Sequence, residues 1–155
     1  MIRVGIFGAG HLGKIHLKLL KELPQFQVVG FFDTDKEQCR SVQAEFNVPA
    51  SNSPEELIVL CDMVDVVTPT ITHHELALRA LKAKKHVFIE KPIANTLEEA
   101  KEIKAMADKL GLKVQIGHVE RFNPAFLSVQ KYFDKPMFIE THRLAQFNPR
   151  GTDVS

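Results

Sequence analysis

The sequence predicts an α/β protein built on a doubly wound parallel sheet with helices on both faces. Short apolar runs typical of buried strands alternate along the chain with segments whose apolar residues recur at helical spacing. Capping residues mark most helix starts, and there is no internal repeat or low-complexity segment. This alternation favours parallel strands joined by right-handed crossover helices.

The first strand and helix meet in a glycine-rich turn. The apolar run Ile2–Phe7 is followed by Gly8-Ala9-Gly10-His11-Leu12-Gly13, and a helical pattern continues to Leu23 before Pro24. In such a turn the first glycine allows a tight bend, the second lets a phosphate approach bare backbone, and the third lets the helix pack closely. The helix start also presents free N–H groups and a positive dipole end to an anion. The glycines alone are a weak signal, because other tight turns also require them.

The residue at the end of the second predicted strand indicates which dinucleotide the site prefers. Residues 28–32 form an apolar run that ends at Asp33, about twenty residues beyond Gly13, where a dinucleotide site places an acid for the adenosine ribose. A carboxylate accepts hydrogen bonds from the ribose hydroxyls and repels a 2'-phosphate, so Asp33 favours NAD over NADP. Lys36 follows closely, and a basic residue there can admit NADP. The alternative is that Asp33 serves only as a helix cap or turn acid.

The remaining elements continue the alternation. A helix from about residue 35 to residue 46 leads to a short third strand after Asn47-Val48-Pro49. Capping sequences then predict three helix starts, at Ser53-Pro54-Glu55-Glu56, Thr72-His73-His74-Glu75 and Thr96-Leu97-Glu98-Glu99. Gly111 is a predicted C-cap, and the last three strands cover residues 63–67, 86–89 and 113–117. Six such strands match the dinucleotide-binding order 3-2-1-4-5-6.

Composition excludes several classes of partner. The chain has 155 residues, of which 45% are hydrophobic, enough for one domain with its own core. A net charge of +1, with basic residues spread among acids, gives no reason to expect nucleic acid. No segment approaches the roughly 20 apolar residues of a membrane span, and the chain starts directly with a strand, so we expect a cytoplasmic protein. Cys39 and Cys61 lack metal-ligand spacing and His73-His74 is a poor metal pair, so no metal site is predicted.

Three polar segments follow predicted strands, and the carboxyl ends of parallel strands form the ligand edge of such a sheet. They are Thr68-Pro69-Thr70, Glu90-Lys91-Pro92 and residues 117–124. A lysine at a strand end beside a nicotinamide can share a proton with a substrate hydroxyl, and burial can lower its pKa. Pro92 restricts the backbone of Lys91 to extended conformations and allows a cis bond. The alternative for Lys91 is an exposed lysine at a strand end.

The character of the chain changes beyond Gly117. We expect a helix to about residue 133 and an extended strand over residues 137–147. The predicted organisation is therefore a dinucleotide-binding domain over residues 1–120, followed over residues 121–155 by a connecting helix and the first strand of a second α/β domain that is otherwise absent. That strand would have an exposed edge, which predicts a longer protein or pairing with another copy in a homo-oligomer.

These motifs resemble those of the Gfo/Idh/MocA oxidoreductases, and the resemblance covers nearly the whole chain. It rests on the glycine turn, Asp33, Thr68-Pro69-Thr70-Ile71-Thr72-His73, Glu90-Lys91-Pro92 and Gly117-His118-Val119-Glu120-Arg121-Phe122-Asn123-Pro124. The E-K-P sequence, preceded by P-x-x-x-H, is much more specific than the glycines. The resemblance implies a Rossmann domain that binds a nicotinamide cofactor, followed by a larger α/β domain that holds the substrate and forms the oligomer interface.

The resemblance also implies roles for individual residues. Lys91 corresponds to a catalytic lysine of the family, and His118 and Arg121 become candidates for substrate contact. Arg121 could equally form a structural salt bridge, and His73 could be only a helix-start residue. The implied cofactor contacts are Gly8, Gly10, His11, Leu12, Gly13, Asp33, Thr68, Pro69, Thr70, His73, Glu90, Lys91 and Pro92.

The expected function is NAD-dependent transfer of hydride between nicotinamide and a hydroxyl carbon of a sugar-like or polyol small molecule. An Asp and a His that the family takes from its second domain have no counterpart here, so we expect this chain to bind cofactor with little or no turnover. Two alternatives stay open. One is a non-catalytic module that senses nucleotide, and the other is a glycosidase of the same fold that uses NAD transiently.

Overall fold

A computed structural model describes residues 1–142 and 144, and its centre is a parallel sheet. The strands of this sheet are β1 (Ile2–Phe7), β2 (Phe26–Phe32), β3 (Met63–Val66), β4 (His86–Ile89) and β5 (Val114–Ile116). Their order is β2-β1-β3-β4-β5, and every neighbouring pair is parallel. The predicted doubly wound α/β fold is confirmed.

Helices connect the strands and follow the last of them. They are α1 (His11–Glu22), α2 (Lys36–Phe46), α3 (Pro54–Leu60), α4 (His73–Lys82), α5 (Leu97–Leu110) and α6 (Pro124–Gln130). Short 3-10 turns occupy Thr70–Thr72 and Val119–Phe122. None of the helices in the described part of the chain is long and apolar enough to cross a membrane.

The sheet separates two apolar cores. Leu57, Ala77 and Ile103 of α3, α4 and α5 pack on one face of the sheet with Val64 and Val87. Leu17 of α1 and Val42 of α2 pack on the other face with Val4, Ile6 and Phe31. Because strands of this kind are buried on both faces, their sequences read as nearly continuous apolar runs.

The predicted short third strand, after Asn47-Val48-Pro49, does not form, so the described sheet has five strands rather than six. The segment after α2 contributes a single parallel bridge, between Ala50 and Phe31 of β2. It makes two backbone hydrogen bonds there, from the N–H of Phe31 to the Pro49 carbonyl and from the N–H of Ser51 to the Phe31 carbonyl. Only a few residues separate the left-handed C-cap Asn47 from Ser53, which already caps α3, so no room remains for a longer strand.

Two further expectations need correction. Thr72 makes no side-chain cap to α4, because the 3-10 turn before the helix directs its hydroxyl back to within 2.8 Å of the Pro69 carbonyl oxygen. Residues 137–142 form no regular strand in the described structure. The rest of that predicted strand, apart from residue 144, lies outside the described residues. By contrast, Thr96 and Glu99 form the complete capping box predicted for α5, and Gly111 caps its C-terminus.

The chain divides into two compact units, and the described strands all belong to the first. The first unit is Met1–Gly117 and the second begins at His118. The glycine turn, Asp33 and the E-K-P sequence therefore all lie in the first unit.

Candidate functional site

Five polar or glycine positions lie at one edge of the sheet. Gly8, Asp33 and Gly117 directly follow β1, β2 and β5, Glu90 directly follows β4, and Thr68 comes two residues after β3. Because all five strands are parallel, their carboxyl ends meet at that edge, where open α/β sheets bind their ligands.

The first and third glycines of the turn are required by the protein itself. Gly8 has a positive φ of 93°, and a Cβ atom there would lie 2.7 Å from the carbonyl oxygen of Val67. A Cβ atom on Gly13 would lie 2.0 Å from the carbonyl oxygen of Gly8. A side chain at either position would collide with backbone, so these glycines permit the tight turn and the close approach of α1.

Gly10 differs from both, because nothing within the protein requires a glycine there. Its φ is −67°, and no atom of the described residues lies within 4 Å of the position that a Cβ atom would occupy. Gly10 is the N-cap of α1, and no side chain caps the free N–H groups of the first turn. An open glycine before uncapped N–H groups fits the pyrophosphate of a dinucleotide.

Asp33 holds the glycine turn in place. One carboxylate oxygen accepts a hydrogen bond of 2.7 Å from the N–H of Ala9, and the other accepts one of 2.9 Å from the N–H of Asp35. The side chain of Gln38 donates to the carbonyl oxygen of Ala9 at 2.7 Å, so the backbone N–H and C=O of Ala9 are both hydrogen-bonded. Asp35 rather than Asp33 caps α2. Gln38 was not identified from the sequence, although its place one turn into α2 is a signal that could have found it.

A cleft of about 570 Å³ lies beside the turn. It is lined by residues from the ends of three strands, among them Gly8, Gly10, Phe32, Asp33, Thr68 and Pro69. Arg79 also borders the cleft, where Glu55 and Glu75 form ion pairs with its guanidinium group. Arg79 was not identified from the sequence, and Glu55 and Glu75 were identified there only as parts of helix-capping sequences.

His73 lies inside the protein, with 1% of its surface exposed. Its ring nitrogens lie 2.9 Å from the carbonyl oxygen of Pro92 and 2.8 Å from that of Thr68. The ring therefore joins the loop after β3 to the loop after β4. This geometry favours an indirect role for His73 over direct contact with a cofactor. Thr70 is likewise buried, whereas Thr68 and Pro69 border the cleft.

The E-K-P sequence separates a buried acid from an exposed base. Glu90 is buried and accepts a hydrogen bond of 3.1 Å from the N–H of Lys91. A Cβ atom on Gly117 would lie 2.5 Å from Glu90 Oε1, so the glycine makes room for this carboxylate. The Lys91 side chain is exposed, and its ammonium group makes no hydrogen bond or ion pair with any described residue. The Lys91-Pro92 bond is cis.

A second histidine lies between two buried carboxylates. His16 Nδ1 lies 2.8 Å from Asp65 Oδ2, and His16 Nε2 lies 3.5 Å from Glu90 Oε1. Burial by itself lowers the pKa of His16, but the hydrogen bond and charge of Asp65, together with Glu90, outweigh it and raise the pKa. Burial raises the pKa of Asp65, and His16 opposes that shift. Neither His16 nor Asp65 was identified from the sequence, although an aspartate within an apolar strand is a recognisable signal.

The other candidate residues are exposed. His11 and Leu12 lie on the first turn of α1, beside the glycine positions. His118 and Arg121 belong to the second unit, where the N–H of Arg121 donates to the His118 carbonyl oxygen. Among the residues that the structure describes, no group of three His, Cys, Asp or Glu side chains could hold a metal ion.

Comparison with known proteins agrees with this geometry. The GFO_IDH_MocA family, described as an oxidoreductase family with an NAD-binding Rossmann fold, matches residues 2–118. UDP-N-acetylglucosamine 3-dehydrogenase of Acidithiobacillus ferrooxidans is 38% identical over 99% of this chain and 49% of its own length. A solved structure of that enzyme has a TM-score of 0.90 at 37% identity, covering 98% of this chain and 50% of the other.

A second relative is the scyllo-inositol 2-dehydrogenase (NAD(+)) of Bacillus subtilis. It is 31% identical over 86% of this chain and 40% of its own length. The chain thus spans about half the length, or less, of these curated relatives.

Proposed function

The chain belongs to the Gfo/Idh/MocA family of NAD-binding oxidoreductases, and on that premise we propose that it is the cofactor-binding part of a dehydrogenase. The observation that carries the proposal is Gly10, a glycine that the fold itself does not require. It stands before the uncapped first turn of α1, on the same cleft as Asp33. Open backbone beside free N–H groups suits a phosphate, and the carboxylate suits a ribose.

The residues that would hold the dinucleotide follow from this arrangement. The N–H groups of the segment from Gly10 to Gly13, including His11 and Leu12, would bind the pyrophosphate. Asp33 would accept hydrogen bonds from the adenosine ribose and disfavour a 2'-phosphate, which supports NAD as the preferred cofactor. Thr68 and Pro69 border the same cleft, and Thr70 and His73 would support that loop from inside the protein.

Lys91 is the residue of this chain that we assign to the chemistry. The bound nicotinamide supplies a carbon that accepts or donates hydride. An exposed lysine without an internal ion pair could orient a substrate hydroxyl and exchange its proton. Glu90 and Pro92 would hold the backbone on either side of it, since the Glu90 carboxylate and the Pro92 carbonyl both have partners within the protein.

The named relatives support a sugar or polyol as the substrate. One is a UDP-N-acetylglucosamine 3-dehydrogenase and another a scyllo-inositol 2-dehydrogenase. We infer a nicotinamide domain over residues 1–120, and over residues 121–155 the start of a further domain that would complete the substrate pocket. His118 and Arg121 would contribute to that pocket. We also propose that the protein is cytoplasmic and forms a homo-oligomer.

Calorimetric titration of this chain with NAD and with NADP tests cofactor binding. We expect saturable binding of NAD that is tighter than that of NADP, and absence of binding to both at millimolar cofactor would refute the proposal.

In a protein of the relatives' full length, Lys91→Ala should lower kcat about a hundredfold or more while NAD affinity changes little. An unchanged kcat would exclude Lys91 from the chemistry.

A further inference from the structure

We propose that His16 is a positioning residue that carries two ring protons and joins the glycine-turn helix to the segment bearing Lys91. It does so by lying between the carboxylates of Asp65 and Glu90. The significance of this link rests on the proposed function, because that function makes the two joined segments the cofactor and proton-transfer parts of one site. The link itself depends only on the geometry of the described residues.

The geometry favours two donors on the ring. A neutral imidazole has one N–H and one acceptor nitrogen, whereas a doubly protonated ring has two N–H donors. Each nitrogen of His16 faces a carboxylate oxygen, at 2.8 Å for Asp65 and at the longer distance of 3.5 Å for Glu90. Ionised carboxylates only accept hydrogen bonds, so the doubly protonated ring is the form that can serve both.

The charges around His16 also favour the doubly protonated ring. The charged groups that face the His16 ring, among the described residues, are Asp65 of β3 and Glu90 after β4; the ring of Phe88 packs against it edge-on. Asp65 is 2% exposed and its Oδ1 atom has no hydrogen-bond partner within the described structure. A neutral His16 would leave two buried carboxylates without a cation, which is a costly arrangement.

The link continues from Glu90 to Lys91. One oxygen of the Glu90 carboxylate faces His16, and the other accepts the backbone N–H of Lys91. Gly117 at the end of β5 packs directly against the same carboxylate. A displaced Glu90 carboxylate would therefore move the backbone at Lys91 and Gly117 together. His16 itself lies on α1, the helix whose first turn carries Gly10 and Gly13.

The protonation state is tested first, on the unaltered 155-residue chain, by nitrogen-15 NMR of the histidine rings. We expect both His16 nitrogens to be protonated at pH 7, and to remain so above the pH at which an ordinary histidine loses its second ring proton. A single protonated nitrogen at pH 7 would overturn the proposal. This measurement needs no variant and no cofactor.

The positioning role is tested with variants on one helix, α1. His16→Phe keeps a ring but has no donor, His16→Gln keeps a neutral donor, and Lys18→Ala changes an exposed residue of the same helix. We expect amide exchange at Lys91 and Gly117 to accelerate at least about tenfold in His16→Phe, less in His16→Gln, and not in Lys18→Ala. Unchanged exchange at both amides in either folded His16 variant would overturn the proposal.

The NAD titration then separates this inference from the proposed function. A wild-type chain that shows the doubly protonated ring but binds neither NAD nor NADP would support the link and refute the cofactor site. A chain that binds NAD normally, with a singly protonated His16, would refute the link and leave the cofactor site standing.

Discussion

At the scale of single residues, the three glycines of one motif meet different physical requirements. Gly8 needs a positive φ and Gly13 needs contact with backbone, whereas Gly10 has ordinary geometry and empty space around it. Glycine is a good N-cap, but the packing of the described residues does not demand one at position 10. Function is therefore most visible at the glycine that the fold does not need.

Replacing Gly10 by Ala should weaken cofactor binding without loss of stability. The added methyl group meets no protein atom within 4 Å, but it occupies the space beside the free N–H groups. We expect the Kd for NAD to rise at least about tenfold, with an unchanged free energy of unfolding. Gly111→Ala is the matched control, because its φ of 66° makes it costly to folding, by about 1–2 kcal/mol, at a position outside the cleft. Equal NAD affinity in all three proteins would contradict the phosphate site.

Asp33 allows a second test at the same scale. Asp33→Asn keeps an oxygen that can accept from Ala9 but removes the negative charge. We expect the ratio of the NADP Kd to the NAD Kd to fall about tenfold, because repulsion of the 2'-phosphate is lost. Asp35→Asn removes the same charge two residues away and keeps a good N-cap for α2, so it should leave the ratio unchanged. Equal shifts in both variants would indicate only a general effect of charge.

At the scale of elements, α4 begins differently from its neighbours. Thr96 caps α5 by a complete capping box and Ser53 caps α3, but α4 follows a 3-10 turn without a side-chain cap. The start of α4 instead places His73 between two carbonyl oxygens, those of Thr68 and Pro92. His73, at the start of α4, therefore joins the loops after β3 and β4.

The adjacent histidines His73 and His74 make a matched pair for testing that joint. His73→Phe should lower the free energy of unfolding by about 1–3 kcal/mol, because the part-buried carbonyl oxygens of Thr68 and Pro92 lose their ring N–H donor. His74→Phe should change it by less than about 1 kcal/mol, since that ring forms an exposed pair with Glu102. Urea denaturation followed by circular dichroism measures both. Similar losses in the two variants would argue against the joint.

At the scale of the whole molecule, the parallel sheet brings distant segments to one edge. The glycine turn, Asp33, Thr68 and Lys91 come from four different loops of the first unit. The chain spans about half the length of its 38% identical relative. The proposed cofactor site lies within the first unit, so its binding of cofactor can be tested on this chain.

The pH dependence of the free energy of unfolding follows from the cluster formed by His16, Asp65 and Glu90. The pKa of His16 is raised in the folded protein, so its contribution is complete below the ordinary histidine pKa and is lost as the pH rises through the folded value. The raised pKa of Asp65 has the same sign, because the folded state holds that proton more tightly than the unfolded state does.

We therefore expect the free energy of unfolding to fall as the pH rises above about 6.5, and to fall less steeply in His16→Phe. Urea denaturation at a series of pH values measures this slope. A wild-type stability that rises over that range, or an identical slope in the variant, would contradict it.

Much of the fold could be predicted because its signals are local. The strand after Lys85, the glycine turn and the capping box at Thr96 each depend on neighbouring residues, and their positions are confirmed. The predictions failed where contacts between different segments of the chain determine the local structure. The segment around Ala50 had too little room for a strand, and the hydroxyl of Thr72 found a nearer partner than the helix it was expected to cap.

The fold class, the family resemblance and the candidate cofactor contacts could be predicted from the sequence, since periodicity and short motifs are properties of consecutive residues. Which glycine stands open, the inward position of His73 and the place of His16 between Asp65 and Glu90 became visible only in the folded chain. Asp65 lies 49 residues from His16, and folding alone brings them to 2.8 Å. Burial and hydrogen bonding depend on such contacts, which no local pattern encodes.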